Sequence, residues 1–171
     1  MTDTTPFEPF TAQINLATGV MQEPDVHNVR RASEMRGYYA DEAALGQLIE
    51  AEDNPLHYEA FENRIPHEQG HLAFCISRVQ PGLIGDECFM TKGHYHANER
   101  CSEVYLCLRG RGVLLMQTRS GETDALEYGR GISIYVPPGW AHRSVNTGDE
   151  PLVLFALYPA DSGHDYGSIA E

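Results

Sequence analysis

Basic side chains are scarce in this chain. Lysine and arginine together number 12 against 25 aspartates and glutamates, a formal charge of −13. Binding to nucleic acid needs a basic face that neutralises phosphates, so that class of partner is excluded. An anionic small molecule faces the same field and must be held by local donors. Long apolar runs are missing as well: no stretch approaches the roughly 20 residues of a membrane span. Met1 to Phe10 carries neither a basic region nor an apolar run. No signal peptide is visible there, and a cytoplasmic protein is expected. The four cysteines, Cys75, Cys88, Cys101 and Cys107, show no C-x-x-C spacing. They read as reduced thiols packed as small apolar residues. Neither G-x-x-x-x-G-K-[ST] nor G-x-G-x-x-G occurs, so a nucleotide cofactor has no support. Internal repeats and low-complexity segments are likewise missing, and 171 residues suit one domain with a proper core.

What is present is mostly β. From His71 onward, short runs fit strands at 71–80, 85–92, 103–109, 112–119, 132–136, 142–146 and 152–158. Turn residues punctuate them, such as Pro81-Gly82, Gly110-Arg111-Gly112, Ser120-Gly121 and Thr147-Gly148-Asp149. That rhythm points to a sandwich or barrel. Asp41 to Glu52 is the best helix: Asp41 can cap it, Leu45, Leu48 and Ile49 share a face, and Asn54-Pro55 ends it. Residues 1–38, with Pro6, Pro9 and Pro24, read as an arm with one or two short strands. Along 103–108, Glu103, Tyr105 and Cys107 share one face, while Val104, Leu106 and Leu108 occupy the other. If Glu103 points inward, the outer aliphatic strip needs a cover, either the N-terminal arm or a second subunit.

Two stretches carry the chemistry. The first is Gly93-His94-Tyr95-His96 followed by Glu103; the second is Pro137-Pro138-Gly139-Trp140-Ala141-His142. In an extended segment, residues i and i+2 point to one side, so His94 and His96 can reach one point. A His-x-His pair alone is weak evidence in a chain with eight histidines. The second stretch adds an ordered pattern of Gly131, Pro137, Gly139, His142 and Asn146, and Glu103 is followed by Gly110 seven positions on. Three imidazoles and one carboxylate suit a divalent first-row transition metal better than calcium or magnesium. His27, His57, His67 and His71 show no spacing that links them to this set and are read as structural or surface residues.

These two patterns resemble the paired motifs of the cupin superfamily. The second motif matches at every fixed position. The first departs: six residues, Ala97 to Ser102, separate His96 from Glu103, where three or four are usual, and Cys88 stands where a leading glycine is expected. Thr91-Lys92-Gly93, Glu103-Val104-Tyr105, Tyr135-Val136-Pro137-Pro138, Trp140-Ala141-His142-Arg143 and the block Tyr158-Pro159-Ala160-Asp161-Ser162-Gly163-His164-Asp165-Tyr166-Gly167 are similar to a subgroup, the cupin-type phosphoglucose isomerases. The similarity runs from about residue 58 to the C-terminus.

The resemblance implies an all-β fold: a cupin-type antiparallel β-barrel or jelly roll, residues 56–171, with an N-terminal arm and short helix in residues 1–55. It implies interconversion of glucose 6-phosphate and fructose 6-phosphate by a homodimer. One divalent metal per subunit, Fe2+ first with Zn2+, Mn2+ or Ni2+ as alternatives, would be held by His94, His96, Glu103 and His142. Glu103 is also the candidate catalytic base, and a hydride shift between carbons competes if it stays bound to metal. Substrate contacts are assigned to Tyr58, Thr91, Gly93, Tyr105, Tyr158, His164 and Tyr166; Ser77 stands where the group can carry a threonine. Three histidines and a glutamate also serve a metal-dependent dioxygenase, and a non-catalytic sugar-binding cupin is the remaining alternative. The Tyr158 to Gly167 block favours the isomerase.

Overall fold

The computed structural model describes residues 7–167. The strands are β1 (Ile14–Asn15), β2 (Val20–Met21), β3 (Val26–Arg31), β4 (Leu56–Glu62), β5 (Leu72–Val79), β6 (Leu83–Ile84), β7 (Glu87–Cys88), β8 (Glu103–Arg109), β9 (Arg111–Thr118), β10 (Thr123–Gly129), β11 (Ser133–Val136), β12 (Trp140–Asn146) and β13 (Leu152–Pro159). A six-stranded sheet has the order β11-β8-β13-β5-β4-β3, and a three-stranded sheet has β10-β9-β12. Every named pairing is antiparallel. One core joins the two sheets: Val79, Tyr105, Cys107, Leu154 and Ala156 from the larger meet Leu114, Met116 and Tyr128 from the smaller. The chain has the all-β, cupin-like architecture that its motifs imply.

The alternation expected along β8 is real. Glu103, Tyr105 and Cys107 are buried, whereas Val104 remains 36% exposed. On the outer face a second apolar cluster forms, in which Ala12, Ile14, Val20 and Met21 of the N-terminal segment cover Phe61, Ile76, Leu108 and Val153. Arg78 and Arg109 donate to the carbonyls of Thr18 and Ala17 and tie that segment down. The helix α1 (Glu42–Ala51) starts where Asp41 Oδ1 accepts from the Ala44 N–H at 2.8 Å, and Leu45 is its buried contact.

Three local expectations need correction. The continuous strand at 85–92 is split. Glu87 and Cys88 pair back on β6, then the chain changes partner, and Met90 bridges to Val145 of β12. β4 carries no hydrophobic signal because its buried positions include His57 and Glu59, polar groups that meet the Tyr39 hydroxyl and His27. β10 is missed because five of its seven residues are exposed, leaving no apolar alternation to read.

Candidate metal centre

His94 and His142 face each other across an antiparallel bridge. The N–H of each donates to the carbonyl of the other, at 3.2 and 3.1 Å, so the two imidazoles leave the backbone on the same side. Gly93 precedes this bridge with φ +74°, a conformation that disfavours a side chain. A Cβ there would lie 3.1 Å from the His142 carbonyl and the Arg143 Cβ. The glycine is therefore required by the close approach of β12. Glu103 enters from the first, inward position of β8, and His96 lies just beyond the bridge.

The four donor atoms lie within 4.8 Å of one another. Glu103 Oε2 is 3.1 Å from His96 Nε2 and 2.9 Å from His142 Nε2. His96 Nδ1 and the Cys101 carbonyl are 3.1 Å apart, and His142 Nδ1 and the Trp140 carbonyl 3.3 Å. Those outer contacts put the proton on Nδ1 and turn each Nε2 lone pair inward, the arrangement that metal-ligating histidines use. Nε2 of His94 and of His142 are buried without a hydrogen bond, the latter because its short contact to Glu103 is out of line. Buried ring nitrogens left unpaired at one point fit a cation as the missing partner. The cluster and the cupin fold together suit a divalent metal.

Burial pushes the Glu103 carboxyl up, yet its contacts with His142 and His96 prevail and hold it well below the usual carboxylate range. Glu103 is therefore an anion beside these rings. With three neutral imidazoles, one carboxylate and a divalent ion, the centre keeps a charge near +1, which attracts oxyanions in an acidic chain.

Tyr105, Tyr158, His164 and Tyr166, also expected at the site, pack beside this point. The Tyr105 ring is 5.7 Å from His142, and burial followed by the adjacent Glu103 raises its hydroxyl well above the ordinary value. Tyr158 lies 6.1 Å from His164, which approaches His94 to 4.4 Å and stacks on Tyr166 at 5.8 Å. Burial pushes the Tyr58 hydroxyl up to about 12, with the Lys92 backbone as one hydrogen-bond partner. Thr91 Oγ1 accepts from the Ser144 N–H at 3.1 Å, which fixes the strand that carries His94. Ser77 sits opposite Ala60 and Leu154 on the same sheet. The histidines left outside the set have partners of their own. His57 meets the Tyr39 hydroxyl at 2.7 Å, His27 meets Glu59 at 2.7 Å, His67 meets the Ala160 carbonyl at 3.0 Å, and His71 packs on Phe7. All four cysteines are free thiols.

The two unusual features of the sequence support one another. The long segment after His96 bonds to the C-terminal block: the Ala97 N–H donates to the Gly163 carbonyl at 3.4 Å and the Asn98 N–H to the Ser162 carbonyl at 2.8 Å, while Tyr95, just before His96, bridges to Asp165. Asn98 Nδ2 also donates to Asp161, at 3.3 Å. The extra residues between the ligands thus hold His164 and Tyr166 over the metal centre. Arg119, at the turn after β9, adds a clamp that sequence reasoning missed. It lies 4.2 Å from the Tyr95 ring and pairs with Glu99 at 2.6 Å and Asp165 at 3.4 Å.

A family model described as glucose-6-phosphate isomerase matches residues 29–171. The chain belongs to the glucose-6-phosphate isomerase family. Among relatives of this family, the glucose-6-phosphate isomerase of Thermococcus litoralis is 46% identical over 164 residues, 96% of this chain and 85% of that protein. The enzyme of the same name from Pyrococcus furiosus is also 46% identical, over 96% of this chain and 86% of its own length. In structure, an oxalate decarboxylase from Bacillus subtilis aligns with a TM-score of 0.50 at 22% identity, over 63% of this chain and 26% of that one. That likeness concerns the fold alone.

Proposed function

We infer that the chain is a metal-dependent aldose–ketose isomerase acting on glucose 6-phosphate and fructose 6-phosphate. The observation that carries this reading is a His94, His96, Glu103 and His142 cluster, half-buried at His94 and buried at the other three, beside the Tyr158 to Gly167 block, in a member of this isomerase family. A divalent metal bound by these four residues supplies a Lewis acid for the substrate's oxygens and for negative charge developing on them; iron(II) is the proposed ion.

Isomerisation moves hydrogen between C1 and C2. In the proposed mechanism Glu103 takes the proton from one carbon, giving a cis-enediolate, and returns it to the other. It is anionic at neutral pH and so starts in the accepting state. His96 and His142 are oriented by the Cys101 and Trp140 carbonyls, and their Nε2 atoms lie 3.1 and 2.9 Å from the carboxylate. Tyr105 limits access of water from the β8 side, and His164 and Tyr166 do so from the C-terminal side. Tyr58, Thr91 and Gly93 mark the wall where substrate oxygens are bound. Phosphorylated sugars are held in the cytoplasm, the proposed location.

The reading is tested by anaerobic turnover in deuterated water, without ATP or nicotinamide. Fructose 6-phosphate is expected to give glucose 6-phosphate carrying deuterium at the transferred position, with fructose a poor substrate. Glu103→Gln, loaded with metal, should lose at least about 10²-fold in kcat, the scale of a lost general base. Near-normal turnover of that variant would remove Glu103 from the chemical step.

A further inference from the structure

The inner face of β3 gives the N-terminal segment a part in the site. In its register with β4, Val26 lies opposite Glu62, Asn28 opposite Ala60 and Arg30 opposite Tyr58. Directly opposed residues of an antiparallel pair share a face. β4 continues this face onto β5, with Tyr58 opposite Val79, a core residue, and Ala60 opposite Ser77. The alternate residues turn outward: His27 stacks on Phe61 at 4.4 Å and bonds to Glu59. A register shift follows Arg30, and Arg31 leaves to donate to the Asn54 carbonyl at 3.0 Å. Arg30 is thus set on the interior side, next to Tyr58.

Its guanidinium is half-exposed at the rim. It donates to the Val29 carbonyl at 3.0 Å and lies 3.6 Å from Glu34, an ion pair open to water on both sides. Such a pair is weak and easily exchanged. Tyr58, which Arg30 faces, has the Lys92 backbone, two residues before His94, as a hydrogen-bond partner. The Tyr166 ring stands 5.6 Å from His94. The neighbouring cations are engaged elsewhere: Lys92 sits over the Tyr38 ring at 5.0 Å, and Arg143 donates to the Lys92 carbonyl at 2.9 Å. Glu62 lies at the far end of β4 from Tyr58, so a dianion is favoured at the Arg30 end.

We propose that Arg30 captures the phosphoryl end of a sugar phosphate whose carbonyl end lies at the metal cluster, releasing Glu34 as it does so. The proposal rests on the isomerase reading and supplies what the charge of −13 demands, a local donor for a dianion. Arginine suits the task because its planar fork matches phosphate oxygens. Arg30 is in this sense a specificity residue for phosphorylated over plain sugars.

Calorimetric titration with sorbitol 6-phosphate and with sorbitol, neither of which has a carbonyl to isomerise, separates binding from turnover. Arg30→Gln should weaken sorbitol 6-phosphate about ten-fold or more and leave sorbitol unchanged. Arg30→Lys should recover part of the loss, and Arg31→Gln should stay within about two-fold of the parent. For turnover, kcat/KM on fructose 6-phosphate should fall about 10- to 100-fold in Arg30→Gln. Equal sorbitol 6-phosphate affinity in Arg30→Gln and the parent overturns the proposal, as does a parent that does not bind it. A parent that binds sorbitol 6-phosphate but leaves fructose 6-phosphate unconverted fails the isomerase reading alone; a loss of binding in Arg30→Gln still supports the phosphate assignment.

Discussion

His57 shows what a single buried residue contributes away from the chemistry. It is fully buried, bonded through Nε2 to the Tyr39 hydroxyl and stacked on Phe89 at 4.0 Å, while Nδ1 has no partner. Burial pushes its pKa down to about 4. The unfolded chain takes up this proton near pH 6.5, whereas the folded chain resists until about pH 4. Stability is therefore present above pH 6.5 and is lost as pH falls through that window, by up to about 3 kcal/mol. Urea unfolding of the parent and of His57→Gln between pH 7 and 4 should show a steeper loss in the parent; parallel curves would contradict the assignment. At this same scale the metal quartet could be read before the fold was known, because its spacing along two short segments is itself the signal. Arg30 could not. Nothing in Val26-His27-Asn28-Val29-Arg30-Arg31 says which side faces inward until pairing with Tyr58 decides it.

Among elements, the turn after β9 acts on the site through the C-terminal block. Arg119 holds Tyr95, Glu99 and Asp165 together, and Tyr95 and Asp165 are bridged through their backbones. Surface ion pairs contribute little to global stability, so Arg119→Ala should change the melting temperature only slightly. Its expected effect is local: faster amide exchange in residues 160–167 and a KM for fructose 6-phosphate raised several-fold. Unchanged exchange there would show that the clamp is ornamental. Strands with apolar alternation, such as β8 and β13, were visible in the sequence because one face of each meets the core. β4 was hidden for a physical reason: His57 and Glu59 occupy buried positions, and the partners that make this tolerable come from distant segments.

For the molecule as a whole, the larger sheet leaves an apolar row on its outer face. Tyr135 pairs with Val104 and Val104 with Leu157, beyond the part that Met21 and its neighbours cover. Tyr135 is 57% exposed. We propose that a second copy of the chain covers this row, giving a homodimer; sedimentation that finds only monomer at micromolar concentration would contradict it. Fold class was evident in the sequence from strand punctuation and the two motifs. The inward turn of β3 and the clamp by Arg119 were not, since both arise from contacts between segments far apart in the chain.

The central claim is that the histidine–glutamate cluster binds a metal on which the isomerase depends. The most direct test strips the protein by chelation, verifies metal removal by elemental analysis, and follows fructose 6-phosphate to glucose 6-phosphate as iron(II), manganese, zinc or nickel is restored. Turnover should vanish on stripping and return with about one ion per chain, while His94→Ala and His142→Ala stay folded, bind little metal and recover no activity. Full turnover by metal-free protein, or none with any of the four ions, would contradict the claim.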